Sequence, residues 1–202
     1  MLPSMRHLSA IVAFTVSVFV LSPAAQPHPH MWIDVGGTFL FDGRVLTGVR
    51  FQWKMDEFFS AGVIQTFDID KSGTFDADEQ AKVRAQAFEG VKESNYFTDL
   101  LIDNEKMKIE RTTDFAADIV KGQVIYHFTV PLDEPVDPAK TPVAFSVYDI
   151  TFYVDVSLIK VDPIRFQGLT NGSCHFFIDE DRQNPILYGV VFPDRVDLLC
   201  GE

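Results

Sequence analysis

The chain is 202 residues long, with 17 Lys and Arg against 29 Asp and Glu for a formal charge of −12, and it contains 19 phenylalanines. This length suits one domain with a real core. The charge excludes nucleic acid and anionic lipid as partners and favours cations.

Residues 1–24 read as a cleaved secretory signal. Arg6 and His7 precede an uncharged stretch from Ala10 to Leu21, followed by the small-residue site Ser22-Pro23-Ala24. The apolar run is shorter than the roughly 20 residues that span a bilayer, so it predicts export to the periplasm rather than a membrane anchor. Removing it takes away Arg6 and no acid, leaving residues 25–202 one charge more negative.

The fold expected for residues 25–202 is one α+β, mainly β domain. It is an antiparallel β-sandwich with an EF-hand-like helical hairpin inserted at about 54–95. A hairpin opens it: Thr38-Phe39-Leu40-Phe41 leads into Asp42-Gly43, and a return strand runs through Val45, Val49, Phe51 and Trp53. The period then changes. Met55, Phe58, Phe59, Val63 and Phe67 mark an amphipathic helix of about three turns, and a second helix is expected from Ala77 to Glu93. Strands return after Asn95, including Met107–Arg111, Gln123–Pro131, Pro142–Asp149 and Thr151–Leu158.

Between the two helices lies DIDKSGTFDADE, residues 68–79. Counted from Asp68, oxygen-bearing side chains occupy positions 1, 3, 5, 9 and 12, with glycine at 6 and an apolar residue at 8, which is the EF-hand calcium pattern. Calcium requires six to eight oxygens. Asp68, Asp70, Ser72, the Thr74 carbonyl, Asp76 and Glu79 supply them, and Gly73 permits the bend. The alternative is a simple capping box, with Asp76 as helix N-cap and Glu79 as its partner. A lone EF-hand points to a structural calcium site rather than a sensor.

A second metal candidate is HPHMWID, residues 28–34. In a strand, His28, His30, Trp32 and Asp34 share one face, opposite Met31, Ile33 and Val35. Two imidazoles and a carboxylate form half of a zinc, nickel or copper site, and His127 is a further candidate ligand. Asp149 is another strand-end carboxylate, and His175 stands beside Cys174. The competing reading is a polar arm with solvated histidines and a structural His127.

Cys174 and Cys200 are the only cysteines. In an oxidising compartment they are expected to pair, closing a loop of about 27 residues worth ~3.5 kcal/mol in the chain-entropy model, the alternative being two buried thiols. The chain has no G-x-S-x-G elbow, no phosphate-binding glycine loop and no H-E-x-x-H, so it is read as a non-enzyme.

The ordered blocks HPHMWIDV, FQWKMDEFFS, DIDKSGTFDADE, ESNYFT and VYDITFYVDV resemble a bacterial exported family commonly labelled the periplasmic component of an ABC-type transport system, some of whose members are similar to zinc-uptake accessory proteins. The resemblance covers nearly all of residues 25–202. It implies a polytopic membrane partner similar to nickel and cobalt transporters. It also favours the metal reading of His28 and His30. The chain is about half the size of a two-lobed solute-binding protein, so metal binding or delivery serving a transporter fits it better than solute capture. The second reading is a calcium-stabilised interaction domain with incidental histidines.

Overall fold

The computed structural model describes residues 29–170 and 173–201. The segment expected to be a signal and His28 lie outside them. The chain opens on the expected hairpin, β1 (Met31–Gly43) and β2 (Val45–Met55), with Asp42 opposite Val45. The two-residue turn is therefore Gly43-Arg44, one residue later than Asp42-Gly43. Gly43 takes φ +66°, the first-position requirement of a tight hairpin turn.

Among the described residues, nine further strands and two α-helices follow this hairpin. α1 (Glu57–Phe67) and α2 (Ala77–Val83) flank the acidic loop. They are followed by β3 (Thr98–Ile102), β4 (Glu105–Met107), β5 (Thr113–Val120), β6 (Gln123–Val136), β7 (Val143–Val147), β8 (Val154–Leu158), β9 (Ile164–Leu169), β10 (Cys174–Glu180) and β11 (Asp194–Cys200). One sheet runs β5-β6-β2-β1-β8, with β9 also on β1; the other runs β10-β11-β7-β3-β4. Mainly β architecture with two sheets and a helical insertion is thus as expected. The antiparallel expectation needs one correction: β8 and β9 both pair parallel with β1, along Met31–Val35 and Gly37–Gly43 respectively. Alternation of apolar residues reports burial of a face, not strand direction, so the sequence held no signal for it.

The core joins both sheets through aromatic rings. Phe145 of β7 meets Phe39 of β1 at 5.6 Å and Phe51 of β2 edge-on at 5.2 Å. Trp53 packs edge-on against Phe128 at 4.9 Å, and Phe88 lies 4.9 Å from Phe128 and 4.7 Å from Phe115. Gly37 is required by this packing, because a Cβ there would come 2.8 Å from Phe145 Cζ.

The helices depart from expectation in three places. Met55, expected on the first helix, is the last residue of β2, opposite Ile33. Phe58 is 87% exposed, whereas Ser60, Val63 and Phe67 are buried. Phe58 stands five residues before Val63, roughly 140° around a helix of 100° per residue, so it cannot share that face. The second helix stops being α-helical after Val83. A π-type turn at Arg84–Phe88 and a 3₁₀ stretch at Glu89–Phe97 replace its second half and carry Phe88 into the core at 1% exposure.

The strand expected at Met107–Arg111 lies earlier, at Glu105–Met107, and ends where it was expected to begin. Asn95 explains why: its amide Nδ2 donates to the Met107 carbonyl at 3.2 Å and its Oδ1 accepts from Ile109 N at 2.7 Å. A side chain takes the backbone bonds that a strand partner would have supplied.

Candidate metal centre

The acidic loop is built by the ends of its two helices. Asp68 is the C-cap of α1, and Asp76 is the N-cap of α2. Between them Lys71 and Gly73 turn the chain through positive φ, at +58° and +78°. The backbone amides of Ser72 and Gly73 donate to the two Asp68 carboxylate oxygens at 2.9 and 3.1 Å, and Ser72 N also donates to Asp70 at 2.9 Å. Glu79 reaches back from α2, accepting from Ile69 N at 2.7 Å and from Asp76 N at 3.1 Å.

The result is a convergence of acids. One oxygen each from Asp68, Asp70 and Glu79 lie within 4.8 Å of one another. Asp68 and Glu79 are only 8% and 4% exposed. Among the described residues neither carboxylate has a Lys, Arg or His within ion-pair distance. Buried carboxylates are hydrogen-bonded, paired, protonated or bound to a metal, and an all-oxygen donor set suits a hard cation. Ser72 Oγ and the Thr74 carbonyl oxygen sit 3.0 Å apart beside them. Hydrogen bonds from the amide and hydroxyl of Ser72 hold the Asp70 carboxyl below its usual range, favouring the ionised ligand form. Phe75, at the apolar loop position, is 7% exposed and joins the core.

The two readings of Asp76 and Glu79 are compatible. The capping box is present, with Glu79 N donating to Asp76 Oδ1 at 2.9 Å. Each carboxylate oxygen has a second lone pair, so capping leaves acceptor capacity for a cation.

The histidine stretch is arranged differently. Met31, Ile33 and Val35 are buried while His30, Trp32 and Asp34 are exposed, as alternation along β1 requires. The His30 ring lies 4.9 Å from that of Tyr153, and Asp34 Oδ2 is 3.9 Å from Lys54 Nζ. His127 does not join them. It sits on β6, with β2 between it and β1, and its Nε2 is 3.5 Å from Asp118 Oδ2. Among the described residues, Asp68, Asp70 and Glu79 are the one group of three such side chains whose donor atoms converge.

Asp149 has a structural task. Its carboxylate accepts from the amides of Thr151, Tyr153 and Val154 at 2.9, 3.1 and 3.0 Å and from the Thr151 hydroxyl at 2.8 Å. Next to it, Tyr148 OH donates to Asp99 Oδ2 at 2.5 Å, and Lys106 Nζ meets the same oxygen. Burial, reinforced by the Asp99 carboxylate, pushes the Tyr148 phenol up to about 12. This triad comes from β3, β4 and the residue just after β7, and no sequence spacing announces it. The bridge between Cys174 and Cys200 is present, the two residues facing each other across β10 and β11.

Residues 13–186 match the family described as "Protein of unknown function (DUF1007)". The chain belongs to this family. Two similar proteins are an uncharacterized 15.5 kDa protein of Spirochaeta aurantia, 34% identical over 110 residues that cover 54% of this chain and 78% of the relative, and an uncharacterized protein of Haemophilus influenzae, 27% identical over 168 residues that cover 82% and 77%. The sequence blocks that carried the resemblance fall on structural junctions of this family member. FQWKMDEFFS contains the α1 N-cap Asp56, whose side chain accepts from Phe59 N at 2.9 Å and from Trp32 N at 3.0 Å. ESNYFT contains three successive residues at positive φ, Asn95, Tyr96 and Phe97, fixed by the Asn95 bonds and by Tyr96 OH donating to Glu89 at 2.8 Å. Among the described residues no helix is long and apolar enough to cross a membrane.

Proposed function

We propose that this protein is a periplasmic metal-binding accessory protein stabilised by calcium. Calcium would be held by Asp68, Asp70, Ser72, the Thr74 carbonyl, Asp76 and Glu79, where it neutralises mutually repelling carboxylates and locks α1 to α2. The observation that carries this reading is the convergence of Asp68, Asp70 and Glu79 oxygens within 4.8 Å, two of the side chains being buried without a basic partner.

The transition-metal role rests on the strand leading out of His28. His30, one residue before β1, and Asp34 on it are both exposed, Asp34 lying 3.9 Å from Lys54 Nζ. His28, His30 and Asp34 are the proposed ligands, zinc or nickel the proposed ion, and delivery to a polytopic membrane transporter the proposed purpose. Calorimetry on the mature protein tests both sites. Calcium is expected to bind and raise the melting temperature. Zinc or nickel is expected to bind tighter than about 100 μM, an affinity of roughly 5.5 kcal/mol. Failure of both transition metals to bind at that level sinks the delivery role.

One observation favours the interaction-domain reading as a second choice. Trp32, Ile150 and Tyr153 are 51%, 75% and 59% exposed, and Phe58 is almost fully so. Backbone bonds tie them together: Asp56 N donates to Trp32 O at 3.0 Å and His30 N to Tyr153 O at 2.9 Å. Exposed aromatic residues gathered at one end mark protein contacts more often than chance allows.

A further inference from the structure

The outer face of the six-stranded sheet carries a cleft of about 410 Å³ whose chemistry differs from the rest of this acidic molecule. Strand register builds it. Thr38 of β1 pairs with Arg50 of β2 on one side and with Arg165 of β9 on the other, so the two arginines flank one threonine in a single row. At the usual strand spacing their Cα atoms stand ~10 Å apart. The next row brings Gly36, Gln52 and His127 side by side. The far wall is the turn between β8 and β9, pinned to β1 by Ile159 N donating to Val35 O and Gly37 N donating to Pro163 O, at 2.9 and 2.8 Å. Gly36 leaves the floor open, since a Cβ there would sit 3.0 Å from Ile159 Cδ1.

The charge pattern gives the cleft its meaning. Of the seven described arginines, Arg44, Arg84, Arg111, Arg182 and Arg195 each pair with a carboxylate; the two that do not, Arg50 and Arg165, both line this cleft. In a chain with 29 acids, Asp162 is the cleft's single carboxylate. Arg50 Nη1 donates to Gln167 Oε1 at 3.2 Å, which orients its guanidinium and leaves its other donors unspent. Burial, opposed by Asp118 and aided by Arg50, lowers the His127 pKa, so that ring offers a neutral hydrogen-bonding nitrogen at the cleft wall.

We propose that this cleft binds a small organic anion carrying two carboxylates, one gripped by Arg50 and the other by Arg165. Guanidinium forks match planar carboxylates with paired hydrogen bonds, and two forks on opposite sides of Thr38 fit a ligand charged at both ends better than a single anion. The negative field of the surrounding protein works against anions in general, so only a ligand engaging both arginines overcomes it. This inference does not rest on the metal reading.

Titration calorimetry on the protein without added metal, with succinate, glutarate, acetate and inorganic phosphate, tests it. One of the dicarboxylates is expected to bind at least about tenfold tighter than acetate or phosphate, with affinity falling as salt rises. Arg50→Gln and Arg165→Gln should each weaken that binding roughly tenfold or more without lowering the melting temperature, because neither arginine makes an ion pair among the described residues. Lys121→Gln, at an exposed turn, should bind as the parent does. Overturning results are a parent that binds neither dicarboxylate below about 1 mM, arginine variants that bind unchanged, or phosphate binding as tightly as the dicarboxylates, which would make the cleft a single-anion site.

Discussion

The loop at Asp68–Glu79 and the strand at His30–Asp34 are both metal candidates in the sequence, yet the fold treats them in opposite ways. In the loop every donor lies within twelve positions of the first, and two short helices fix the ends. Local backbone geometry therefore decides whether the oxygens meet, and those of Asp68, Asp70 and Glu79 do. In the strand, successive same-face residues are about 7 Å apart. A complete metal sphere there needs donors from elsewhere, and His127 is held a strand too far away. Spacing predicts a site only when the site is local.

The largest effect that tests this contrast belongs to Glu79→Ala. It removes a proposed calcium ligand and also the acceptor for Ile69 N and Asp76 N, two backbone donors at 2.7 and 3.1 Å. Destabilisation of about 1–3 kcal/mol is expected even with calcium chelated, from the lost bonds alone. The further rise in melting temperature on adding millimolar calcium should vanish. A variant that retains the full calcium response would show that the loop's geometry serves capping and nothing else.

A smaller effect sharpens the same site. Ser72→Asp places a carboxylate beside Asp70 and the Thr74 carbonyl, at the one side-chain ligand position of the loop where this chain uses a hydroxyl. Calcium affinity should increase several-fold, while the calcium-free protein becomes slightly less stable through added repulsion. Parallel denaturant titrations with calcium and with chelator measure both. Equal affinity in parent and variant would place Ser72 outside the coordination sphere.

The paired substitution His28→Ala with His30→Ala should change stability least, by no more than about 0.5 kcal/mol, because His30 is exposed and makes no side-chain hydrogen bond among the described residues. It should abolish zinc or nickel binding and leave the calcium response untouched. Undiminished transition-metal binding would move the ligands away from the strand.

How much of this was legible beforehand follows the same rule of locality. The hairpin, the start of the second helix, the loop and the disulfide follow from neighbouring residues or from one pair of cysteines. The outward position of Phe58 is not legible, because a handful of apolar residues fits more than one helical stripe; only packing on β6, where Val124 N donates to Ser60 Oγ at 2.9 Å, selects the face. The parallel strands β8 and β9 depend on topology. Arg50 and Arg165 are brought to one row only by pairing β2, β1 and β9, and an isolated arginine in a strand pattern looks like any solvated residue.

His127 supplies the subtlest measurement, because it discriminates the strand site from the cleft. Its pKa lies below the ordinary imidazole value near ~6.5, chiefly through burial, with Arg50 adding to the shift and Asp118 opposing it. The unfolded chain therefore binds more protons than the folded one between the two pKa values, and stability rises with pH across that interval. His127's share is fully present above ~6.5 and is lost as pH falls through the folded pKa. His127→Gln should flatten this part of the melting-temperature profile. Arg50→Gln should move the His127 titration back upward, whereas Asp118→Asn should move it further down, as imidazole proton resonances would report. Added zinc should perturb His30 and spare His127, because β2 stands between them. A zinc-induced shift of both rings together would mean that the strand site recruits a distant ligand after all, and that the contrast between loop and strand is one of degree.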